Sequence, residues 1–281
     1  MCSIKVVLMV GLGGTPHRFL CQCLERILAP DCGKRLVAVL SRREALTVLL
    51  RQTVSVILTA PQLPDGVWHE LIRDTAPMLA RPQVIIVALE PGAPTREEAL
   101  ALGARDLIAG PSAETQVQLL IESADRDWAC DCARFHAASS PAGDPDILAV
   151  DDEPAILELI TRALQREGLA VSAAQNGWQA AELLRHYENL AVVILDWQLP
   201  GMAGDEVLDH LSAIRPGIRT IVISGGLLAE TETVFLRHKV EVFLSKPFPP
   251  NTLVAAAKSA VAASREARAV HWPRNATPLK F

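Results

Sequence analysis

The sequence predicts an α/β protein of two domains, each built on a doubly wound parallel sheet. Three observations point to this fold class. The chain has 281 residues, half of them hydrophobic, which suits two ordinary domains with sizeable cores. Short apolar runs alternate with amphipathic segments five times in each half, as βα units do. The halves also repeat, because one constant offset separates Pro64 from Pro200, Ala88 from Ser224 and Pro111 from Pro247.

In the first half, apolar runs predict strands at residues 4–10, 36–40, 54–58, 84–89 and 106–109. Amphipathic patterns predict helices at residues 19–28, 42–50, 67–75, 95–102 and 112–122. Thr95 and Glu98 have capping-box spacing, so a helix is expected to begin there. The glycine-rich turn at 11–14 could hold a phosphate, but Pro16 replaces the third glycine of the dinucleotide fingerprint, and a tight turn is favoured.

In the second half, the same patterns predict strands at residues 147–150, 169–173, 192–196, 218–223 and 240–244. Helices are predicted at residues 154–167, 177–187, 204–214, 227–237 and 251–265, with Pro154 in the first turn of its helix. Small and polar residues from 137 to 145 indicate a linker. The predicted domains are therefore 1–125 and 146–265, joined by a linker at 126–145 whose first part could continue the preceding helix, and followed by a tail at 266–281.

Charge and composition exclude several classes of protein. The net charge is −5 with no long run of one sign, so no electrostatic footprint for nucleic acid is present. No apolar run approaches the roughly 18 residues needed to span a bilayer, and the amino-terminal run is too short for a signal peptide. A cytoplasmic protein that binds neither nucleic acid nor membrane is expected. The six cysteines lack zinc-ligand spacing, and reduced thiols are the better interpretation.

Polar side chains follow the strands of the second half at their carboxyl ends. They are Asp151 and Asp152, Asp196, Ser224 and Lys246. The carboxyl ends of the strands in a doubly wound sheet meet in one crevice, so these groups are expected to lie together. Three carboxylates repel one another unless a cation such as Mg²⁺ neutralises them. The set suits phosphoryl transfer onto Asp196, with helix caps and a surface lysine as the alternative interpretation.

Residues 146–265 resemble the receiver domain of bacterial two-component response regulators. The motifs that carry the resemblance are Val150-Asp151-Asp152, Leu195-Asp196-Trp197-Gln198-Leu199-Pro200-Gly201, Ile223-Ser224-Gly225 and Lys246-Pro247-Phe248. The resemblance implies a flavodoxin-like (βα)5 fold with strand order 2-1-3-4-5. It also implies that a histidine kinase or phosphotransfer protein donates a phosphoryl group to Asp196.

The resemblance further assigns roles within the site. Mg²⁺ would be held by Asp152, Asp196 and the backbone carbonyl of Gln198, with Asp151 in the outer sphere. Ser224 and Phe243 match the switch pair of the family, in which the hydroxyl moves toward new charge and the ring follows. Phe243 lacks the hydroxyl of the commoner Tyr, and an ordinary core aromatic is the alternative.

The first half resembles a receiver that has lost this chemistry. Its matching positions are Gly11-Leu12 for the acid pair, Ala60 for the nucleophile, Ala88 for the hydroxyl and Gly110 for the lysine. None of these side chains can bind a metal or accept a phosphoryl group. A pseudo-receiver that docks a partner or forms a homodimer is expected.

The predicted function is that of a response regulator that signals through protein contacts to a downstream protein, without a DNA-binding output. Residues 144–265 carry 10 basic and 16 acidic side chains, a balance that repels DNA, and the tail matches no output domain. The chain would be a phosphoacceptor limited to self-phosphotransfer and autodephosphorylation, and no enzyme beyond that. The alternatives are a phosphoryl sink, a scaffold with a relic site, and an Asp-nucleophile phosphatase. The phosphatase is disfavoured because Gln198 stands where such enzymes place a second Asp.

Overall fold

A computed structural model of the protein describes residues 5–12, 22, 24, 26, 34–88, 93–109, 114–139, 144–225, 238 and 240–271. The chain divides into two compact units, Met1–Ala138 and Ser139–Phe281. This boundary lies inside the predicted linker at 126–145. The helix before the linker continues through residue 139, so the first part of the linker is helical.

The first unit contains a parallel five-stranded sheet and a small hairpin. The described strands are β1 (Lys5–Val10), β2 (Lys34–Val39), β3 (Val54–Thr59), β4 (Gln62–Leu63), β5 (Gly66–Val67), β6 (Gln83–Ala88) and β7 (Asp106–Ala109). The described helices are α1 (Arg42–Arg51), α2 (Trp68–Thr75), α3 (Arg96–Ala101) and α4 (Glu114–Ser139). The sheet order is β2-β1-β3-β6-β7, which is the predicted order 2-1-3-4-5.

The burial of the strands follows their place in this sheet. All six residues of the central strand β3 are buried, whereas the edge strands β2 and β7 are partly exposed. A strand covered by helices on both faces is mostly apolar, and β3 contains only Ser55 and Thr59 as polar residues, which explains why these runs were recognisable in the sequence. The capping box also forms as predicted, since the Glu98 amide donates to the Thr95 hydroxyl and the Thr95 amide to the Glu98 carboxylate.

The hairpin β4–β5 was not predicted from the sequence, which assigned neither a strand nor a helix between residues 58 and 67. Its tip carries Asp65, whose carboxylate accepts hydrogen bonds from the backbone amides of Arg42 (2.8 Å) and Arg43 (2.9 Å) at the start of α1. These hydrogen bonds hold the pKa of Asp65 below its usual value, although burial works in the opposite direction as the largest single effect. A carboxylate at a helix amino terminus is stabilising, so the hairpin fastens α1 to the end of β3.

The second unit repeats the architecture. Its described strands are β8 (Ile147–Val150), β9 (Val171–Ala174), β10 (Val192–Asp196), β11 (Arg219–Ser224) and β12 (Val240–Ser245). Its described helices are α5 (Pro154–Gln165), α6 (Gly177–His186), α7 (Gly204–Ile214) and α8 (Pro250–His271). The sheet order β9-β8-β10-β11-β12 is again 2-1-3-4-5, and every pair is parallel. Ile160 and Leu164 of α5 and Leu253 and Ala257 of α8 pack on one face of this sheet.

Some predicted elements differ in extent or lie outside the described residues. Helix α8 ends at His271, so the first residues of the predicted tail are helical, and residues 272–281 are outside the described part. The predicted helix at 227–237 also lies outside it, as do most of the helix at 19–28 and the turn residues 13 and 14. Cys130 and Cys132 lie on α4 and form no disulfide within the part of the chain that the structure describes, whereas the other four cysteines are not described. None of the described helices is long and apolar enough to cross a membrane.

Candidate functional site

Strand register brings the predicted side chains of the second unit to one edge of its sheet. Val150, the last residue of β8, pairs with Leu195 of β10, so Asp151 and Asp196 follow at neighbouring positions. On the other side of β10, Asp196 pairs with Ile223 of β11, and Ser224 ends that strand. The carboxyl ends of three adjacent strands therefore deliver two carboxylates and a hydroxyl to the same place.

The three carboxylates form a compact cluster. Asp151, Asp152 and Asp196 each have a carboxylate oxygen that lies within 4.8 Å of the corresponding oxygen of the other two. Asp151 and Asp196 are buried, with relative exposures of 1% and 5%, whereas Asp152 is exposed. The cluster thus has a buried base and one open side.

Backbone amides orient the two buried carboxylates. The Glu153 amide donates to Asp151 Oδ1 at 2.9 Å, and the Gln198 amide donates to Asp196 Oδ1 at 3.1 Å. Each bond spans two residues, the local turn that Asp side chains favour after a strand. In both residues the remaining oxygen, Oδ2, is turned to the same cation.

That cation is Lys246, which follows β12 at the same edge. Its ammonium donates to Asp196 Oδ2 at 2.8 Å and to Asp151 Oδ2 at 2.9 Å. Its backbone amide donates to the Ser224 carbonyl at 2.7 Å, which fixes the start of the side chain against β11. Lys246 therefore bridges two carboxylates that lie 45 positions apart in the chain.

The electrostatics of the cluster are strongly coupled. Burial raises the pKa of Asp151 above its ordinary value, the charge of Asp196 adds to this, and Lys246 works against both. Burial lowers the pKa of Lys246, but its hydrogen bonds to Asp196 and Asp151 outweigh burial and leave the pKa raised. Lys246 is therefore held in its charged form, while the ionised form of Asp151 lacks full compensation.

The donor set fits a hard divalent cation. Three ionised carboxylates and one ammonium leave a local charge of about −2, which a single Mg²⁺ would neutralise. All donors are oxygen atoms, as Mg²⁺ prefers, and the exposed Asp152 leaves room for the waters that this ion keeps. The geometry supports Asp151, Asp152 and Asp196 as its carboxylate neighbours. The predicted use of the Gln198 carbonyl stays a prediction.

The turn after Asp196 packs tightly against α7. A Cβ atom placed on Gly204 would lie 2.7 Å from Trp197 Cε3 and 2.8 Å from the Trp197 carbonyl oxygen. The Trp197 amide donates to the Ile223 carbonyl at 2.8 Å, so the turn is also tied to β11. Gly204 thus permits a close approach that positions the residue next to Asp196. This role was not predicted from the sequence, in which its signal is a glycine as the first residue of a helix.

The two predicted switch residues lie on one face of the sheet. Ile221, Ile223 and Leu244 pack into the core beneath α5 and α8. Because side chains alternate along a strand, Ser224 and Phe243 both face the opposite side. Phe243 pairs with Val222, two residues before the buried Ser224. This arrangement is compatible with coupling between the hydroxyl and the ring, and the motion itself stays a prediction.

The corresponding edge of the first unit is filled with apolar side chains. Gly11 follows β1 with φ of +69°, and a Cβ atom there would lie 2.5 Å from Leu63 Cδ2 and 3.4 Å from Ala60 Cβ. Leu63, on the hairpin, and Ala88, at the end of β6, are buried as well. Leu63 therefore occupies the space over Gly11, and the described residues of this edge offer no carboxylate cluster. Gly110, the predicted counterpart of the lysine, lies outside the described residues.

Comparison with known proteins agrees with this geometry. Residues 147–258 match the family model of the response regulator receiver domain. The transcriptional regulatory protein AruR of Pseudomonas aeruginosa is 33% identical over 141 residues, which cover 49% of this chain and 57% of AruR. The DNA-binding response regulator MtrA of Mycolicibacterium smegmatis is 34% identical over 113 residues, or 39% of this chain and 47% of MtrA.

Among solved structures, a CheY-like response regulator receiver domain protein from Methanospirillum hungatei JF-1 is 26% identical with a TM-score of 0.41. The match covers 43% of this chain and 96% of that one. The chain spans about half the length of AruR and MtrA, and 32% of the length of the regulatory protein YesN of Bacillus subtilis. The segment 147–258 is thus a response regulator receiver domain.

Proposed function

We propose that the protein is a response regulator whose Asp196 accepts a phosphoryl group from a histidine kinase or phosphotransfer protein. Receiver domains interact with such donors and generally bind Mg²⁺ at their acidic site. One observation carries the proposal: the Lys246 ammonium contacts the buried carboxylates of Asp151 and Asp196, and Asp152 lies within 4.8 Å of both. This is the arrangement of charges that phosphoryl transfer onto a carboxylate requires.

Asp196 is the nucleophile in this proposal. One of its oxygens forms a bond to phosphorus while the bond from phosphorus to the donor's imidazole nitrogen breaks, which gives an acyl phosphate and a free imidazole. The Gln198 amide holds Oδ1, so the carboxylate is oriented before the donor arrives. Water later attacks the phosphorus, the bond from phosphorus to the Asp196 oxygen breaks, and inorganic phosphate leaves as the carboxylate is regenerated.

Lys246 and a bound metal ion would both balance the negative charge of the phosphoryl oxygens. Bound Mg²⁺ would neutralise the phosphoryl oxygens. Asp152, Asp196 and the Gln198 carbonyl are the residues proposed to hold it, with Asp151 in the outer sphere. Lys246 already lies 2.8 Å from Asp196, which places it to contact the incoming group. The buried Ser224 ends the neighbouring strand and supplies the hydroxyl proposed to follow the new charge. The proposed activity is limited to this self-modification and its reversal, without turnover of a further substrate.

The first unit is proposed to be a pseudo-receiver that makes protein contacts. Its support is Leu63, which occupies the space over Gly11 at the edge where the second unit carries its acidic cluster. Output through a partner protein rather than through DNA is likewise a proposal. This proposal is supported by the charge of residues 144–265, which contain 16 acidic and 10 basic side chains and would therefore repel DNA.

The test is phosphorylation of the full chain by a small phosphodonor such as acetyl phosphate in the presence of Mg²⁺. Intact-protein mass should increase by one phosphoryl group, and hydroxylamine should remove it, as expected for an acyl phosphate. Asp196→Asn should abolish the increase, whereas Asp205→Asn, an exposed position on α7, should retain it. No mass increase in the wild type, or an equal increase in Asp196→Asn, would contradict the proposal.

A further inference from the structure

The first unit contains a cavity at the amino-terminal edge of its sheet, opposite the edge that corresponds to the acidic cluster. The cavity has a volume of about 720 Å³. It lies between the last turns of α2, the segment 81–83 that enters β6, and the turn 102–105 that enters β7. Sites for small organic molecules measure roughly 300–1,000 Å³, so this volume is sufficient for one.

The charge of the cavity lining is one-sided. The lining contains three arginines and a histidine, which are Arg73, Arg81, Arg105 and His69. It contains no aspartate or glutamate, although the chain as a whole has 32 acidic side chains against 27 basic ones. An anionic ligand would therefore find positive charge without a competing carboxylate in the wall.

The arginines differ in how their charge is balanced. Arg105 is fixed by Asp127 at 2.5 Å and by the Ser123 hydroxyl at 3.1 Å, both on α4. Arg73 lies 3.6 Å from Glu70, and Glu70 also contacts a second guanidinium, that of Arg42.

Arg81 is exposed and has no ion pair within the part of the chain that the structure describes. Arg42 is itself paired with Asp74, so Glu70 is available to balance Arg73. Arg81 is therefore the lining guanidinium whose charge no described carboxylate balances.

The rest of the lining includes apolar side chains. Leu100 and Leu102 are large hydrophobic residues with exposures of 43% and 55%, and both border the cavity. Ile72 of α2 also lines it. A Cβ atom on Gly103, whose φ is +95°, would lie 3.4 Å from Ile72 Cγ2, so the glycine lets this turn approach α2 closely. Exposed leucines beside arginines provide surface for an apolar group next to a charged one.

We propose that this cavity binds a small amphiphilic anion, a molecule with a carboxylate or phosphate head and an apolar body. Arg73 and Arg81 contact the head through charge-assisted hydrogen bonds, and Leu100, Leu102 and Ile72 contact the body. The cavity is lined by residues of the first unit and does not include Asp196, so the first unit would bind this ligand without using the phosphorylation site.

The test uses anilinonaphthalene sulfonate, a fluorescent anion with an apolar body, titrated into the full chain. Arg73→Ala and Arg81→Ala should each weaken its binding about tenfold, the effect of losing one hydrogen bond to a charged group. Arg51→Ala is the matched control, because Arg51 is an exposed arginine in the last turn of α1, as Arg73 is in the last turn of α2. It should bind the probe within about twofold of the wild type.

Two further arms separate the contributions of the head and the body. Phenylnaphthylamine, the neutral relative of the probe, should bind more weakly and should not respond to the arginine substitutions. Decanoate and decyl phosphate should compete with the probe, and the stronger competitor identifies the preferred head. The proposal is overturned if the wild type does not bind the probe, if Arg73→Ala and Arg81→Ala bind it like the wild type, or if neither competitor displaces it.

Discussion

Replacing Lys246 by Met should destabilise the second unit measurably. The substitution keeps most of the side-chain volume but removes an ammonium that donates to Asp151 at 2.9 Å and to Asp196 at 2.8 Å. Hydrogen bonds to charged groups contribute about 1.5–3 kcal/mol each, so the gross loss is about 3–6 kcal/mol. The Lys246 side chain is 26% exposed, and water would replace part of what is lost. We therefore expect a net loss of about 2 kcal/mol in the free energy of unfolding.

For a unit of this size, about 2 kcal/mol corresponds to a decrease of roughly 7 °C in its unfolding midpoint. Calorimetry of the full chain in EDTA measures this midpoint, and the transition of the second unit is identified as the one that added Mg²⁺ raises. Lys258→Met is the matched control, because Lys258 pairs with Glu167 at 2.5 Å while both side chains are nearly half exposed. Its midpoint should change by no more than about 2 °C.

The pH dependence of the difference between wild type and variant follows from the raised pKa of Lys246. A lysine with a raised pKa in the folded state stabilises the fold fully below its unfolded pKa of about 10.4, and this contribution is lost as the pH rises through the folded value. The difference should therefore persist from neutral pH to about pH 10 and decrease above it. A midpoint of Lys246→Met within about 2 °C of the wild type, or equal shifts in both variants, would refute the reasoning.

Two further substitutions test contacts away from the lysine. Gly204→Ala should destabilise the second unit by about 1–3 kcal/mol and change Trp197 fluorescence, since its Cβ would lie 2.7 Å from the indole; chemical denaturation followed by fluorescence measures both. Asp125→Asn should cost the first unit about 1–2 kcal/mol, because this buried carboxylate lies 3.3 Å from both Lys5 and Lys34. Burial raises the pKa of Asp125, yet the two ammoniums help to leave it lowered, so its contribution should be lost as the pH falls below the ordinary carboxyl range.

Matched substitutions control both experiments. At Gly225 an added Cβ would lie 3.8 Å from the Gln198 side chain, an ordinary contact, so Gly225→Ala should leave Trp197 fluorescence unchanged. Asp127 is 49% exposed, so Asp127→Asn should change stability by less than about 1 kcal/mol. Equal changes in stability and fluorescence for Gly204→Ala and Gly225→Ala would contradict the close packing of Gly204 on Trp197. Equal losses of stability for Asp125→Asn and Asp127→Asn would contradict the contribution of the buried ion pairs of Asp125.

Much of the fold was predictable because each buried strand of a parallel sheet is a short run of hydrophobic residues in the sequence. Strands covered on both faces are mostly apolar, so β3, β6, β8 and β10 were visible as short hydrophobic runs. The boundaries were less well predicted where helices continue beyond the sheet. Helix α4 extends through residues that are small and polar in sequence, and Trp128 holds it by donating to the Ala80 carbonyl, 48 positions earlier.

The candidate site was predictable for a related reason. Carboxyl ends of parallel strands meet at one edge, so residues that directly follow apolar runs are brought together whatever their separation in sequence. Asp151, Asp196 and Lys246 were assigned to one site on this basis, and the structure places them within hydrogen-bonding distance. The space over Gly11 could not be assigned in the same way, because it is filled by Leu63 from a hairpin that the sequence did not indicate.

The sequence alone determined the alternation of strands and helices, the duplication, and the residue types at each strand end. These features depend on neighbouring residues and on a strand geometry that is the same in every parallel sheet. Only the tertiary structure decided that Asp151 is buried while Asp152 is exposed, that one ammonium contacts two carboxylates, and that three arginines share a cavity with exposed leucines. Burial, shared hydrogen bonds and cavity walls depend on residues from distant parts of the chain, so the local pattern of residue types cannot predict them.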